Sequence, residues 1–129
     1  QELLAEVGIS ATVIDPVSLL PLDIDTIAGS VQQTGSLLVV DNAWVTCGAG
    51  AEIVAAVSER HAGAKPLSVG RMGYAPTTCP PTPALEKHFY PNAVTIASKV
   101  HSMVRPDEPE WTHDVESTLP HEAVFRGPF

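Results

Sequence analysis

Apolar residues recur at helical spacing in several stretches of this chain and run without interruption in one. Leu3, Leu4 and Val7 share a face of a short first helix, and Gly8 stands where a C-terminal cap belongs. Ile24, Ile27, Ala28 and Val31 predict a second helix, capped by Asp23 and ended by Gly35. Ile53, Val54 and Val57 stripe a third, with Glu52 in its first turn near the positive end of the dipole and His61 near its end. Ala93, Ile96, Ala97, Val100 and Met103 stripe a last helix, stopped by Pro106. The uninterrupted run is Leu37-Leu38-Val39-Val40, so Ser36 to Val40 reads as the central strand.

Two further strands are expected, Ser10 to Asp15, closed by Pro16, and Pro66 to Gly70. Leu19, Leu20 and Leu22 around Pro21 read as an apolar elbow packed under the sheet. Between Met72 and Pro83 stand Gly73, Pro76, Pro80 and Pro81, too many breakers for an element, so this run is an extended cover over the sheet edge or a segment for a partner's groove. Ala84 to Phe89 makes about one helical turn. Strands alternating with helices predict an α/β domain with a mostly parallel sheet and right-handed crossovers.

Composition narrows the class. The 129 residues, 44% hydrophobic with few aromatics, suit a single compact domain. No apolar run approaches the ~18 residues of a membrane span, and no signal peptide is expected. Residues 1–105 carry 9 acids against 6 Lys and Arg, net −3; residues 106–129 carry 6 acids against Arg126, net −5. The domain is therefore expected over 1–105, with 106–129 an acidic tail or arm, ordered only if something binds it. An acidic balance without a basic stripe argues against nucleic acid as a partner. Cys47 and Cys79 read as free thiols, which fits a cytoplasmic protein.

Candidate chemistry gathers after the central strand, where open α/β sheets collect ligands. Asp41 and Asn42 with Gly48 and Gly50 make either an anion or ligand loop at a helix N-terminus or a capped, closely packed turn; the Walker spacing and its Lys are missing. Trp44 is either an interface anchor or a cover for its own helix, and Tyr74 and Tyr90 flank the proline run as further interface candidates. Cys47 has no histidine close in sequence to serve as its base. His88, His101, His113 and His121 show no i, i+4 pair of metal-binding type. No catalytic, cofactor-binding or metal-binding residue is assigned.

The order of these landmarks resembles the C-terminal, transketolase-like domain of the beta subunit of thiamine-dependent 2-oxo acid dehydrogenases of the pyruvate and branched-chain type. The resemblance rests on Gly8-Ile9-Ser10-Ala11 through Val13-Ile14-Asp15, on Leu20-Pro21-Leu22-Asp23, and on Ser30-Val31 with Thr34-Gly35. It continues through Val40-Asp41 to Ala43-Trp44, Gly48 through Gly50-Ala51-Glu52-Ile53, and Pro83 through Leu85-Glu86 with Pro91. No single motif decides it; their order over residues 1–105 does. The ending Arg126-Gly127-Pro128-Phe129 also looks like some members.

The resemblance implies a three-layer α/β/α sandwich around a five-stranded, mainly parallel sheet. It implies that the reaction, thiamine diphosphate- and magnesium-dependent oxidative decarboxylation with acyl transfer to a lipoyl carrier, is performed by residues upstream of this domain. No cofactor is expected in this chain. Its expected role is association: with further copies, with the dehydrogenase alpha subunit and with the acyltransferase core. A free-standing assembly module of the same fold and a domain of a transketolase-type enzyme are the alternatives. The family's first strands, one of them central, are missing before Gly8, so the chain is expected to be a fragment whose sheet closes directly or is completed by a second copy.

Overall fold

The computed structural model describes residues 1–61 and 66–112. Seven elements follow one another: α1 (Glu2–Glu6), α2 (Ile24–Thr34), β1 (Ser36–Trp44), α3 (Ala49–His61), β2 (Ser68–Tyr74), α4 (Pro83–Glu86) and α5 (Ala93–Val104). The helices start and stop where local chemistry directs. The Asp23 carboxylate accepts from the Thr26 N–H and hydroxyl at the start of α2, and Gly35 ends it at φ 69°, donating to the Val31 carbonyl. Asn92 opens α5 with a full capping box: its side chain accepts from the Val94 and Thr95 amides while the Thr95 hydroxyl accepts from the Asn92 N–H. Gly8, at φ 70°, follows α1 and donates to the Ala5 carbonyl.

β1 and β2 pair in parallel, from Ser36 opposite Ser68 through Val40 opposite Met72. Alternation along β1 sends its side chains into two layers. Leu37 and Val39 join Ile27 and Val31 of α2 and Ile53 and Val57 of α3 in one core, to which Ile14, Leu22 and Leu67 add. Leu38 faces the other side, where α5 crosses Gly70 so closely that a β-carbon there would meet Met103 Sδ at 2.7 Å and Leu38 Cδ1 at 3.0 Å. α1 packs on α5 through a second cluster, Leu4, Ile9 and Ala97, flanked by Leu3, Val7, Val100 and Trp111. The order is helix, sheet, helix, as a transketolase-like α/β/α sandwich requires.

The sheet departs from the expected one in three places. Among the described residues it has two strands rather than five. Ser10 to Asp15 is not a strand: no ladder runs along it, and it is held instead by the Gln1 amide on the Ala11 carbonyl and by Ile14 against the first core. Apolar β-branched residues favour extension, but a strand exists only through its hydrogen-bonded neighbour. β1 runs four residues past Val40 to Trp44, and β2 spans Ser68–Tyr74 instead of closing at Gly70. The elbow is also corrected: Leu22 packs on the core, but Leu19 is exposed and Leu20 is 93% exposed. Residues 106–112 of the expected arm are described; 113–129, with His113 and His121, lie outside the described residues.

Candidate functional site

The extra length of β1 creates the candidate site. Val40 pairs with Met72 and Trp44 with Tyr74, so four steps along β1 match two along β2, and the surplus bulges. Gly73 makes room for it, since a β-carbon there would collide with the Ala43 carbonyl oxygen and approach Val45 Cγ2 to 3.1 Å. Arg71 Nη1 donates to the Val45 carbonyl at 2.9 Å, tying the outgoing loop to β2. Gly48 closes the turn against the Trp44 carbonyl oxygen, where any side chain would clash, and its own carbonyl accepts from the Ala51 amide as α3 begins.

So held, Trp44 meets an aromatic group at the carboxyl end of the two strands. Its ring stands edge-on to Tyr74 at 5.8 Å between centroids and to Phe89 at 5.9 Å. Tyr74 stacks on Phe89 at 4.9 Å, and Tyr90 stands edge-on to both. Edge-to-face and offset pairs in this range each add about 0.5–1.5 kcal/mol to burial of the rings. The Ala75 amide donates to the Phe89 carbonyl at 2.9 Å, closing the proline run into a loop whose two ends carry the rings. Phe89 is buried at the centre, while Trp44 remains 48% and Tyr90 38% exposed. The group is thus an apolar surface half open to water.

The Tyr90 hydroxyl lies 3.8 Å from the Cys79 sulfur. That contact, before burial and the nearby Glu86 carboxylate, holds the phenol above its ordinary value of 10.0. Tyr90 therefore presents a neutral hydroxyl, a donor as well as an acceptor. Cys79 and Cys47 are both exposed free thiols.

The three residues read as interface candidates from the sequence, Trp44, Tyr74 and Tyr90, thus come together in space. Phe89, which joins them, was not read as a site residue; its position beside Tyr90 at the end of the proline run was the available signal. The Asp41–Gly50 group is divided among β1, the connection and α3. Asp41 and Asn42 lie within β1, and Gly50 is not in the loop but in the first turn of α3, facing Val39, whose Cγ1 a β-carbon would approach to 3.2 Å. Close packing accounts for both Gly48 and Gly50. His101, one of the scattered histidines, is buried on α5 next to the apolar stripe. Among the described residues no group of three or more His, Cys, Asp or Glu could hold a metal ion, and no helix is long and apolar enough to cross a membrane.

Comparison with known proteins agrees with this architecture. The chain is 40% identical over 92 residues, 71% of its length, to the pyruvate dehydrogenase E1 component subunit beta of Staphylococcus aureus. It is 35% identical over 102 residues, 79% of its length, to the acetoin:2,6-dichlorophenolindophenol oxidoreductase subunit beta of Cupriavidus necator, and 35% identical over 95 residues, 74% of its length, to that of Bacillus subtilis. These matches cover 28%, 30% and 28% of the respective relatives, so the chain spans under a third of each. Residues 1–96 match the transketolase C-terminal domain, and the chain belongs to that family.

Proposed function

We propose that this chain is the association domain of a dehydrogenase beta subunit of the 2-oxo acid type, without catalysis of its own. The observation that carries the proposal is the half-exposed aromatic group of Trp44, Tyr74, Phe89 and Tyr90, set on a glycine-fitted bulge in a domain whose relatives are named as beta subunits. A rigid ring cluster loses little side-chain freedom on contact, so it binds more strongly for its area than long flexible side chains would.

The partners follow from the resemblance: other copies of the beta subunit, the alpha subunit and the acyltransferase core, in the cytoplasm. The intact enzyme would decarboxylate a 2-oxo acid oxidatively with thiamine diphosphate and magnesium. The described residues of this chain do not fit that pair. They offer no metal-binding set, and the glycines near Asp41 and Asn42 are closed by the chain's own Trp44 and Val39. No step of the reaction is assigned to them.

The test is sedimentation of the chain mixed with the alpha subunit of a pyruvate-type dehydrogenase, and separately with Trp44→Ala in its place. A mixed species that the variant fails to form supports the reading. Independent sedimentation of the two proteins at tens of micromolar contradicts it.

A further inference from the structure

One carboxylate meets two side chains at the C-terminal end of α5. Glu108 Oε2 lies 3.3 Å from His101 Nε2 and 3.3 Å from Arg105 Nη1. Arg105 Nη2 in turn donates to the Val7 carbonyl, at the end of α1, at 2.8 Å. His101 is 5% exposed, so its ring is fixed by the surrounding core, and Arg105 is fixed by Val7. These two side chains form a socket for the Glu108 carboxylate, whose own amide donates to the Arg105 carbonyl at 3.2 Å. Glu108 is different: it belongs to residues 106–112, which form no helix or strand, and its side chain is 51% exposed. Three residues on, Trp111 packs against the Leu4, Ile9 and Ala97 cluster. The same segment walls an open cavity of about 700 Å³, whose other sides include Met72 of β2 and Val94, Ser98 and Lys99 of α5.

We propose that residues 106–112 are a strap, latched by Glu108 in the His101–Arg105 socket and anchored by Trp111, which opens and closes one side of the cavity along α5. A carboxylate taking two cationic or N–H partners is worth more than a lone surface pair, yet at half exposure it is still screened by salt. The latch therefore holds the strap without fixing it permanently. The apolar anchor gives the closed position its register. Opening swings out Trp111 and leaves the Arg105–Val7 tie, and hence the α1–α5 packing, in place.

The experiment uses the 129-residue chain carrying Trp44→Phe, so that Trp111 is its one tryptophan. Fluorescence and amide exchange are compared with and without Glu108→Gln. The variant should shift Trp111 emission to the red and speed exchange across 106–112 by about threefold to tenfold, the range for a lost charge-assisted contact. Should Glu108→Gln fail to fold, a titration of its Trp44→Phe parent to 1 M NaCl gives the second reading. The emission should move to the red and return on dilution, with helix content unchanged. Emission and exchange unaltered by the substitution, or emission unmoved by salt, would overturn the proposal.

Discussion

Trp44 and Phe89 meet edge to face, 5.9 Å between ring centroids at 86°, from opposite ends of the segment that holds β2 and the proline run. One ring is buried and the other half exposed. Phe89 therefore acts as the floor on which Trp44 is presented. Removing the exposed ring should spare the fold and injure contact: Trp44→Ala is expected to raise the dissociation constant of any assembly through this face by about tenfold or more. Far-UV circular dichroism should stay as in the parent. Equal sedimentation of parent and variant would take the anchoring role from Trp44.

The bulge that positions Trp44 depends on an absent side chain. Gly73→Ala would drive a β-carbon into the Ala43 carbonyl oxygen, a backbone atom that cannot swing away, so a loss of about 1–3 kcal/mol is expected. Gly29, in α2, has open space where its β-carbon would go, and Gly29→Ala should instead gain about 0.5–1 kcal/mol from helix propensity. Urea unfolding of both variants checks the pair. Equal midpoints would mean the close approach at Gly73 relaxes without cost.

Asn92 holds the start of α5 by accepting two backbone N–H bonds. Asn92→Ala should cost about 1 kcal/mol, the usual loss of a good N-cap. Because α5 carries Ala97 into the second core and buries His101, thermal unfolding should remain a single transition at a lower midpoint. A midpoint equal to the parent's would show that tertiary packing alone sets the helix start.

Asp23 gives a pH dependence with a definite sign. Hydrogen bonds from the Thr26 hydroxyl and then its amide hold the Asp23 carboxyl below the ordinary 3.8. A depressed folded value means the stabilisation is present in full above about 4 and is lost as pH falls through the lower folded value. Asp23→Ala should therefore melt below the parent at pH 7, and the gap should narrow as the pH is lowered past 3.8. A gap that is the same at pH 7 and at pH 2 would rule out the charged cap as its source.

How much of this was legible depends on how local the signal is. α2 was readable to the residue because Asp23 and Gly35 act on neighbours within one turn; for α5 the apolar stripe and Pro106 gave the helix, while the Asn92 capping box went unread. Helices carry their own hydrogen bonds. The length of β1 was not readable, since Asp41 and Asn42 resemble a strand end and the residue that lets the strand continue, Gly73, lies in a different strand. Ser10 to Asp15 misled for the same reason in reverse: its composition favours extension, but pairing needs a neighbour that local sequence does not reveal.

The site divides along the same line. Trp44, Tyr74 and Tyr90 were identifiable one at a time as large amphipathic rings in or beside loops; that they touch, and that Phe89 joins them, is a consequence of the parallel pairing of β1 and β2. Asp41 and Gly50 looked like a ligand loop because a strand, an acid and glycines before a helix form a familiar sequence pattern. In space Gly50 answers to Val39 and Gly48 to Trp44.

Association through the aromatic face is tested most directly by the molar mass in solution. Light scattering across a concentration series should give, for the parent chain, a mass that climbs above the 13.6 kDa of one copy, and for Trp44→Ala a mass that stays near it. A parent chain that remains at one copy at every concentration, and sediments apart from the alpha subunit, would contradict the claim that this domain works by assembly.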